Sequence, residues 1–318
     1  MNGSMFLYEV NREKRIATIT FNKPKKLNCL ALSEMEELAE LLQKPQDDDR
    51  VKVIIFKGKG KAFCSGADVS RLSSDQGFGA KDEKGRYKRA SQHFKLRSDD
   101  KTTFGPRGLV QSILGCNKAT IAQVHGYAYG AGFHIALACD ITIAAKGTLF
   151  THAGYRLMGP SAEGSAIPLF MSVGPKKAME LMLTGRPIES KEAEELGIVN
   201  KVVPLNKLEE EVQRYAETIS LLSLEGIVMG KYSTRCALER FGYFGYMPVV
   251  LHNLGTNIVW EEGDFNWYKE NRDQGATAAI KERERRYAAL GMDVESVKRA
   301  AGVKQNSSSL KVQKGKSK

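Results

Sequence analysis

The sequence predicts an α/β protein with a helical C-terminal part, and three observations carry that prediction. Strand-like and helix-like segments alternate as far as about residue 205. The apolar strands stop at Gly, Pro or Asn, the residues that end extended structure. Beyond Lys207 strand signals fade, while helical periodicity runs on to Leu290.

Residues 15–21 are β-branched and alternating, and Asn22 and Pro24 stop them, so they read as a strand. A helix follows, with Ser33 as the predicted N-cap, Glu36 at capping-box spacing, and Met35, Leu38, Leu41 and Leu42 at helical intervals. The apolar run 51–56, closed by Gly58 and Gly60, is the next strand. Strand, helix and strand in that order suggest a right-handed crossover. Periodicity is lost over residues 73–103, which reads as an insertion. It returns with the apolar run Leu109–Leu114 and the strand Ala119–Val124, followed by a glycine turn, an apolar helix Ala131–Ala138 and the strand Ile141–Ala145. Residues 175–183 are helical, and Ser190 opens another capped helix. The expected organisation is a core over 5–205, a helical region over 206–290, and a basic, disordered tail over 291–318.

At 318 residues, 42% apolar and 27% charged, the chain buries a sizeable core and is neither disordered throughout nor fibrous. No apolar run reaches the roughly 20 residues that span a bilayer. Residues 1–10 lack a basic stretch followed by an apolar one, so no secretory signal is expected. The five cysteines, at 29, 64, 116, 139 and 236, form no C-x-x-C pair, and a reducing, cytoplasmic setting is expected. The net charge of +11 raises a nucleic-acid reading. Residues 281–318 carry eleven Lys and Arg against four Asp and Glu, and residues 75–101 carry eight against five. The rest is nearly neutral, which argues against a charged face that tracks a duplex.

Several chemical motifs are absent: a G-x-S-x-G elbow, H-E-x-x-H, and a phosphate-binding P-loop. Gly130-Ala-Gly132 lacks the third glycine of a dinucleotide fingerprint. Two glycine-rich stretches are more informative: Ala62-Phe-Cys-Ser-Gly-Ala-Asp68, directly after a strand, and His125-Gly-Tyr-Ala-Tyr-Gly-Ala-Gly-Phe-His134, where a strand turns into a helix. Glycines allow close backbone approach, and two N–H groups converging on one oxygen make an oxyanion hole. A pair of tight turns is the plainer alternative.

These stretches, with Asn22-Lys-Pro-Lys-Lys-Leu-Asn28 before them and Ala138-Cys-Asp140 after, resemble the enoyl-CoA hydratase/isomerase (crotonase) family. Leu183-Thr-Gly-Arg-Pro187, the stretch 193–199 and the stretch 272–286 extend the resemblance over roughly residues 6–290. It implies a β-β-α superhelix with a helical C-terminal trimerisation region, assembled as a homotrimer or a dimer of trimers. It implies acyl-CoA thioester substrates, with CoA as part of the substrate and no other cofactor, metal or nucleic acid. The family's oxyanion-hole N–H groups fall on Ser65 and Ala131, where they would stabilise an enolate. Gly66, Ala67 and Asp68 would border the CoA moiety, and Lys25, Lys26 and Leu27 would flank its adenine end.

The family's two hydratase glutamates fall on His134 and Gly154, so the chain departs from a standard hydratase. His134 and Glu163 are the candidate catalytic residues; imidazole titrates near neutral pH, and some branches of the family place a catalytic acid near position 163. A turn-capping role for His134 and a surface role for Glu163 stay open. His152 is a weaker candidate, and Cys64 has no paired base. The reaction expected is isomerisation, or hydrolysis that cleaves a carbon–carbon bond or opens a ring. The alternatives are a divergent hydratase and an inactive CoA-binding or scaffold protein.

Overall fold

The computed structural model describes residues 4–70, 108–152, 156, 166–239, 265–300 and 302. In chain order the first elements are strands β1 (Phe6–Asn11) and β2 (Ile16–Phe21), helices α1 (Leu32–Leu41) and α2 (Gln43–Asp47), and strand β3 (Val53–Gly58). The insertion expected over 73–103 lies outside the described residues; α3 (Leu109–Leu114), β4 (Ala119–Val124), β5 (Tyr127–Tyr129), α4 (Ala131–Ala138), β6 (Ile141–Ala145) and β7 (Leu149–Thr151) come next. Then follow α5 (Ala166–Thr184), β8 (Ile188–Glu189), α6 (Ser190–Glu195), β9 (Lys201–Val203), α7 (Leu208–Ser220) and α8 (Leu224–Glu239). The C-terminal helices are α9 (Trp267–Gln274), α10 (Ala276–Ala288) and α11 (Val294–Ala300).

Six strands form one sheet in the order β1-β2-β3-β4-β6-β9, antiparallel between β1 and β2 and parallel elsewhere. Both faces of this sheet are covered, and β3 shows how. Val53 and Ile55 join Ile121, Ile143 and the Leu208, Val212 and Ala216 stripe of α7. Ile54 and Phe56 point the other way, into the larger core with α1, α3 and α4. Two buried faces explain why β3 reads as a continuous apolar run. A second sheet, β5-β7-β8, pairs Tyr127 with Leu149 and Tyr129 with Thr151.

Several boundaries differ from the sequence reading. Helix α1 starts at Leu32, and Glu34, not Glu36, accepts the Ala31 N–H at 2.6 Å. Lys23 selects Glu34 by pairing with the same carboxylate at 2.6 Å. The helix expected from 175 begins at Ala166 and is kinked at Gly174, whose φ of 74° no helix interior contains. Glu189, not Ser190, caps α6, accepting the Lys191 N–H at 2.9 Å. Finally, α11 lies inside the stretch assigned to a disordered tail. Asp293 accepts the Glu295 and Ser296 N–H groups at its start.

Candidate active site

The two glycine-rich stretches run side by side. Phe63 N–H donates to the His125 carbonyl at 2.9 Å, Cys64 N–H to Tyr127 at 3.1 Å, and Tyr129 N–H returns to Cys64 at 3.0 Å. Two glycines make this approach possible. A Cβ on Gly126 would lie 2.0 Å from the Lys61 carbonyl oxygen, and one on Gly132 would lie 2.3 Å from that of Cys64. Gly130, at φ 48° and ψ −117°, turns β5 directly into α4.

That turn leaves Ala131, Gly132 and Phe133 as the first three N–H groups of α4, since the ladder starts with His134 N–H on the Gly130 carbonyl at 2.9 Å. A Cβ at Gly66 would sit 3.6 Å from the Ala131 nitrogen, so the 64–67 backbone lies beside this helix start. The Ser65 N–H does not face it freely: it donates to the Leu27 carbonyl at 3.0 Å. Two residues on, Leu30 donates to the Gly66 carbonyl at 2.8 Å and accepts from Asp68 N–H at 2.7 Å. This is a parallel bridge between Leu30 and Ala67. In such a bridge the N–H of Ala67 itself points to the opposite side. Among the described residues no backbone carbonyl accepts it.

His134 stands one helical turn beyond Ala131, 2% exposed. His152, directly after β7 and 1% exposed, lies against it with ring centroids 5.0 Å apart. The pairing of β5 with β7 explains the meeting: Ala128 and Phe150 face α4, where Phe150 packs on Phe133 at 6.0 Å. His152 continues that alternation. Tyr127 and Tyr129 lie on the opposite face, 5.3 Å apart. Glu163, with Gly154 and Tyr155, lies outside the described residues. Cys64 is fully buried, and burial pushes its thiol up to about 12 against a weak opposing hydrogen bond from the Gly66 N–H, so it is no nucleophile near neutral pH.

The basic loop closes the other side. Pro24–Lys26 form a 3₁₀ turn, and Leu27 and Asn28 follow with φ of 50° and 57°. Lys25 and Lys26 are exposed, and Lys26 reaches Asp68 at 3.2 Å. Burial works against the Asp68 charge, yet hydrogen bonds from Ser70 and Lys26 outweigh it and hold the carboxyl below its ordinary value. Asn28 is fully buried, in a role that its sequence neighbourhood does not reveal. Its amide donates to the Lys59, Ala62 and Phe63 carbonyls, and its oxygen accepts the Lys23 N–H, which stitches this loop to the first glycine-rich stretch. On α10, Arg285 and Arg286 pair with Glu282, and Arg283 pairs with Glu284. A separate cleft of about 430 Å³ opens at the far end of α4. Its basic groups are already engaged, Lys231 by Asp140 and Arg235 by Gly115 and Asn117.

Residues 11–239 match the family model described as enoyl-CoA hydratase/isomerase. This chain belongs to the enoyl-CoA hydratase/isomerase family. A probable enoyl-CoA hydratase of Mycobacterium bovis is 30% identical over 276 residues, covering 86% of this chain and 95% of that one. A probable peroxisomal enoyl-CoA hydratase of Arabidopsis thaliana is 34% identical over 226 residues, covering 70% and 76%. Among solved structures, an enoyl-CoA hydratase/isomerase from Xanthobacter autotrophicus superposes with a TM-score of 0.71 at 25% identity, covering 90% of this chain and 99% of that one. An enoyl-CoA hydratase structure from Mycobacterium smegmatis, at 23% identity and a TM-score of 0.74, shows the same fold. The crotonase-type α/β fold and acyl-CoA metabolism therefore hold for this family member.

Proposed function

We propose that this family member turns over an acyl-CoA thioester through an enolate, without the two-glutamate hydration of its relatives. The observation that supports the reading is the close approach of the 64–67 backbone to the Tyr129–Ala131 turn. Ala131 is one donor. The other is Ala67 in place of Ser65, whose N–H is held by Leu27. As a base takes the proton from the carbon beside the thioester, the electron pair moves onto the thioester oxygen, where these donors stabilise it.

His134 is the proton carrier in this reading, one turn from Ala131. Its imidazole accepts the proton as base and returns it as acid. Return to a different carbon of the acyl chain is isomerisation; with an attacking water, the same enolate chemistry reverses a carbon–carbon condensation. Hydration needs one group to activate water and another to deliver a proton, and positions 134 and 154 hold His and Gly. The relatives' names favour hydration, so the reaction is the point to test. Lys25, Lys26, Leu27, Gly66 and Asp68 border the CoA moiety, Glu163 is a second acid, CoA enters only within the substrate, and the chain works in the cytoplasm as a trimer or hexamer. Sedimentation tests the assembly.

The deciding experiment is a panel of crotonyl-CoA, a 3-enoyl-CoA and a cyclic β-ketoacyl-CoA. We expect turnover of the second or third, and His134→Ala should lower kcat by about 10²- to 10⁴-fold. Rapid hydration of crotonyl-CoA would overturn the proposal. Binding of all three without turnover would make the chain a CoA-binding protein instead.

A further inference from the structure

Two anchors that no sequence pattern announced tie helices α10 and α11 to the candidate site. The first is Arg156. Its side chain is 7% exposed and its guanidinium lies flat on Tyr287 of α10, 3.5 Å from the ring centroid. It also donates to the Met292 carbonyl at 2.6 Å, in the link between α10 and α11. The stem of Arg156 rests on Gly185, where a Cβ would come within 2.5 Å of it. The Gly185 carbonyl in turn accepts the Thr151 hydroxyl at 2.9 Å, and the Thr151 carbonyl accepts the Gly130 N–H at 3.1 Å.

The second anchor is Lys298 of α11. Its ammonium donates to the Tyr127 hydroxyl at 3.0 Å and also pairs with Glu295 at 3.1 Å. Tyr127 begins β5, the three-residue strand that ends one residue before Gly130. Both routes therefore end on Gly130, one by way of β7 and one by way of β5. Gly130 sets the direction of the Ala131 N–H, at a φ of 48° and ψ of −117° that glycine adopts readily and other residues do not.

We infer that α10 and α11 form a strap that fixes the Gly130 turn, with Arg156 and Lys298 as positioning residues for the Ala131 N–H. The inference rests on Ala131 being a donor to the thioester oxygen. A loosened turn leaves ground-state binding of the CoA moiety intact and misplaces the donor where charge develops, so the loss falls on kcat.

The test uses the full chain carrying Lys298→Met, Arg156→Lys, Tyr287→Leu or Tyr287→Phe, assayed on the thioester that the wild type turns over best. Lys298→Met keeps the stem and removes the donor; Arg156→Lys keeps a charge and removes the flat stack. Each should lower kcat roughly tenfold, with KM within about twofold. Thermal midpoints should stay within about 3 °C of wild type. Tyr287→Phe, which keeps the ring, should match the wild type, and Tyr287→Leu should reproduce the loss. Wild-type kcat in both Lys298→Met and Arg156→Lys would overturn the strap. If the wild type turns over none of the thioesters, the functional reading fails, and the strap is then judged by amide hydrogen exchange over residues 127–131. Faster exchange in Lys298→Met at unchanged protection of β3 and β4 supports it; equal exchange over 127–131 overturns it.

Discussion

Asn28 holds a left-handed backbone and spends both ends of its amide on backbone partners, so no other residue type fits its position fully. Its Nδ2 serves three carbonyls of the stretch that leads to Ala67, and its Oδ1 takes the Lys23 N–H. Asn28→Ala strands these groups in a buried site and should cost about 2–3 kcal/mol in urea unfolding, since each unsatisfied buried group costs about 1–3 kcal/mol. Asn28→Asp, which cannot donate, should be no better. The sequence marked Asn28 as part of a pattern but could not supply this role, because the three carbonyls it serves lie 31 to 35 residues away. The same limit explains why the proposed donor moves from Ser65 to Ala67. A backbone N–H leaves no side-chain signature, and only the pairing with Leu30 decides which residue of the stretch turns its N–H away from that loop.

Among the elements, those with enough length to show a period were legible. Helix α4, β4 and β6 fall where apolar patterning placed them. The strands β5, β7, β8 and β9 have two or three residues each, too few for an alternation, and β1 mixes Tyr8 and Glu9 into an edge position. Those short strands align the two histidines, so the meeting of His134 with His152 was out of reach. Two glycines in helices make a controlled comparison of why glycine is there. Gly174 has φ 74° and open space around it, whereas Gly132 sits in α4 with Cys64 against it. Gly174→Ala should therefore cost about 1 kcal/mol through backbone strain, with turnover unchanged. Gly132→Ala should push the two glycine-rich stretches apart and abolish turnover, whatever it does to stability. Chemical denaturation beside a thioester assay separates the two.

Across the whole molecule, the charge pattern acquires a purpose through what remains unpaired. On α10 the arginines are largely matched by Glu282 and Glu284, and among the described residues the loop before Asn28 presents cations to solvent, with exposed Lys59 and Lys61 nearby. Lys26 shares its charge with Asp68, and Lys25 is exposed. CoA carries a diphosphate and a 3′-phosphate, and several cations around such a polyanion act together and weaken with salt. Replacing Lys25 and Lys26 by alanine should weaken CoA binding in calorimetry several-fold at low ionic strength, less at high ionic strength, and less again with 3′-dephospho-CoA. Equal losses for both ligands would remove these lysines from the 3′-phosphate. The sheet's membership was largely readable, but its order β1-β2-β3-β4-β6-β9 was not, since the step from β4 to β6 skips a strand assigned to another sheet.

The burial of Cys64 within the first glycine-rich stretch gives the protein an internal reporter. Its thiol is sealed off and pushed up to about 12, and Cys116 and Cys139 are buried as well, while Cys236 is open to solvent. A thiol reagent should therefore modify Cys236 at once and reach Cys64 only in the moments when the two glycine-rich stretches part. With the half-buried Cys29 and the buried Cys116 and Cys139 replaced by alanine, the slow phase of labelling times the opening of the site itself. A bound thioester that closes the gap between Gly66 and Ala131 should lengthen that phase in proportion to its occupancy, so a simple thiol reaction would report ligand binding even for an acyl group that is never turned over.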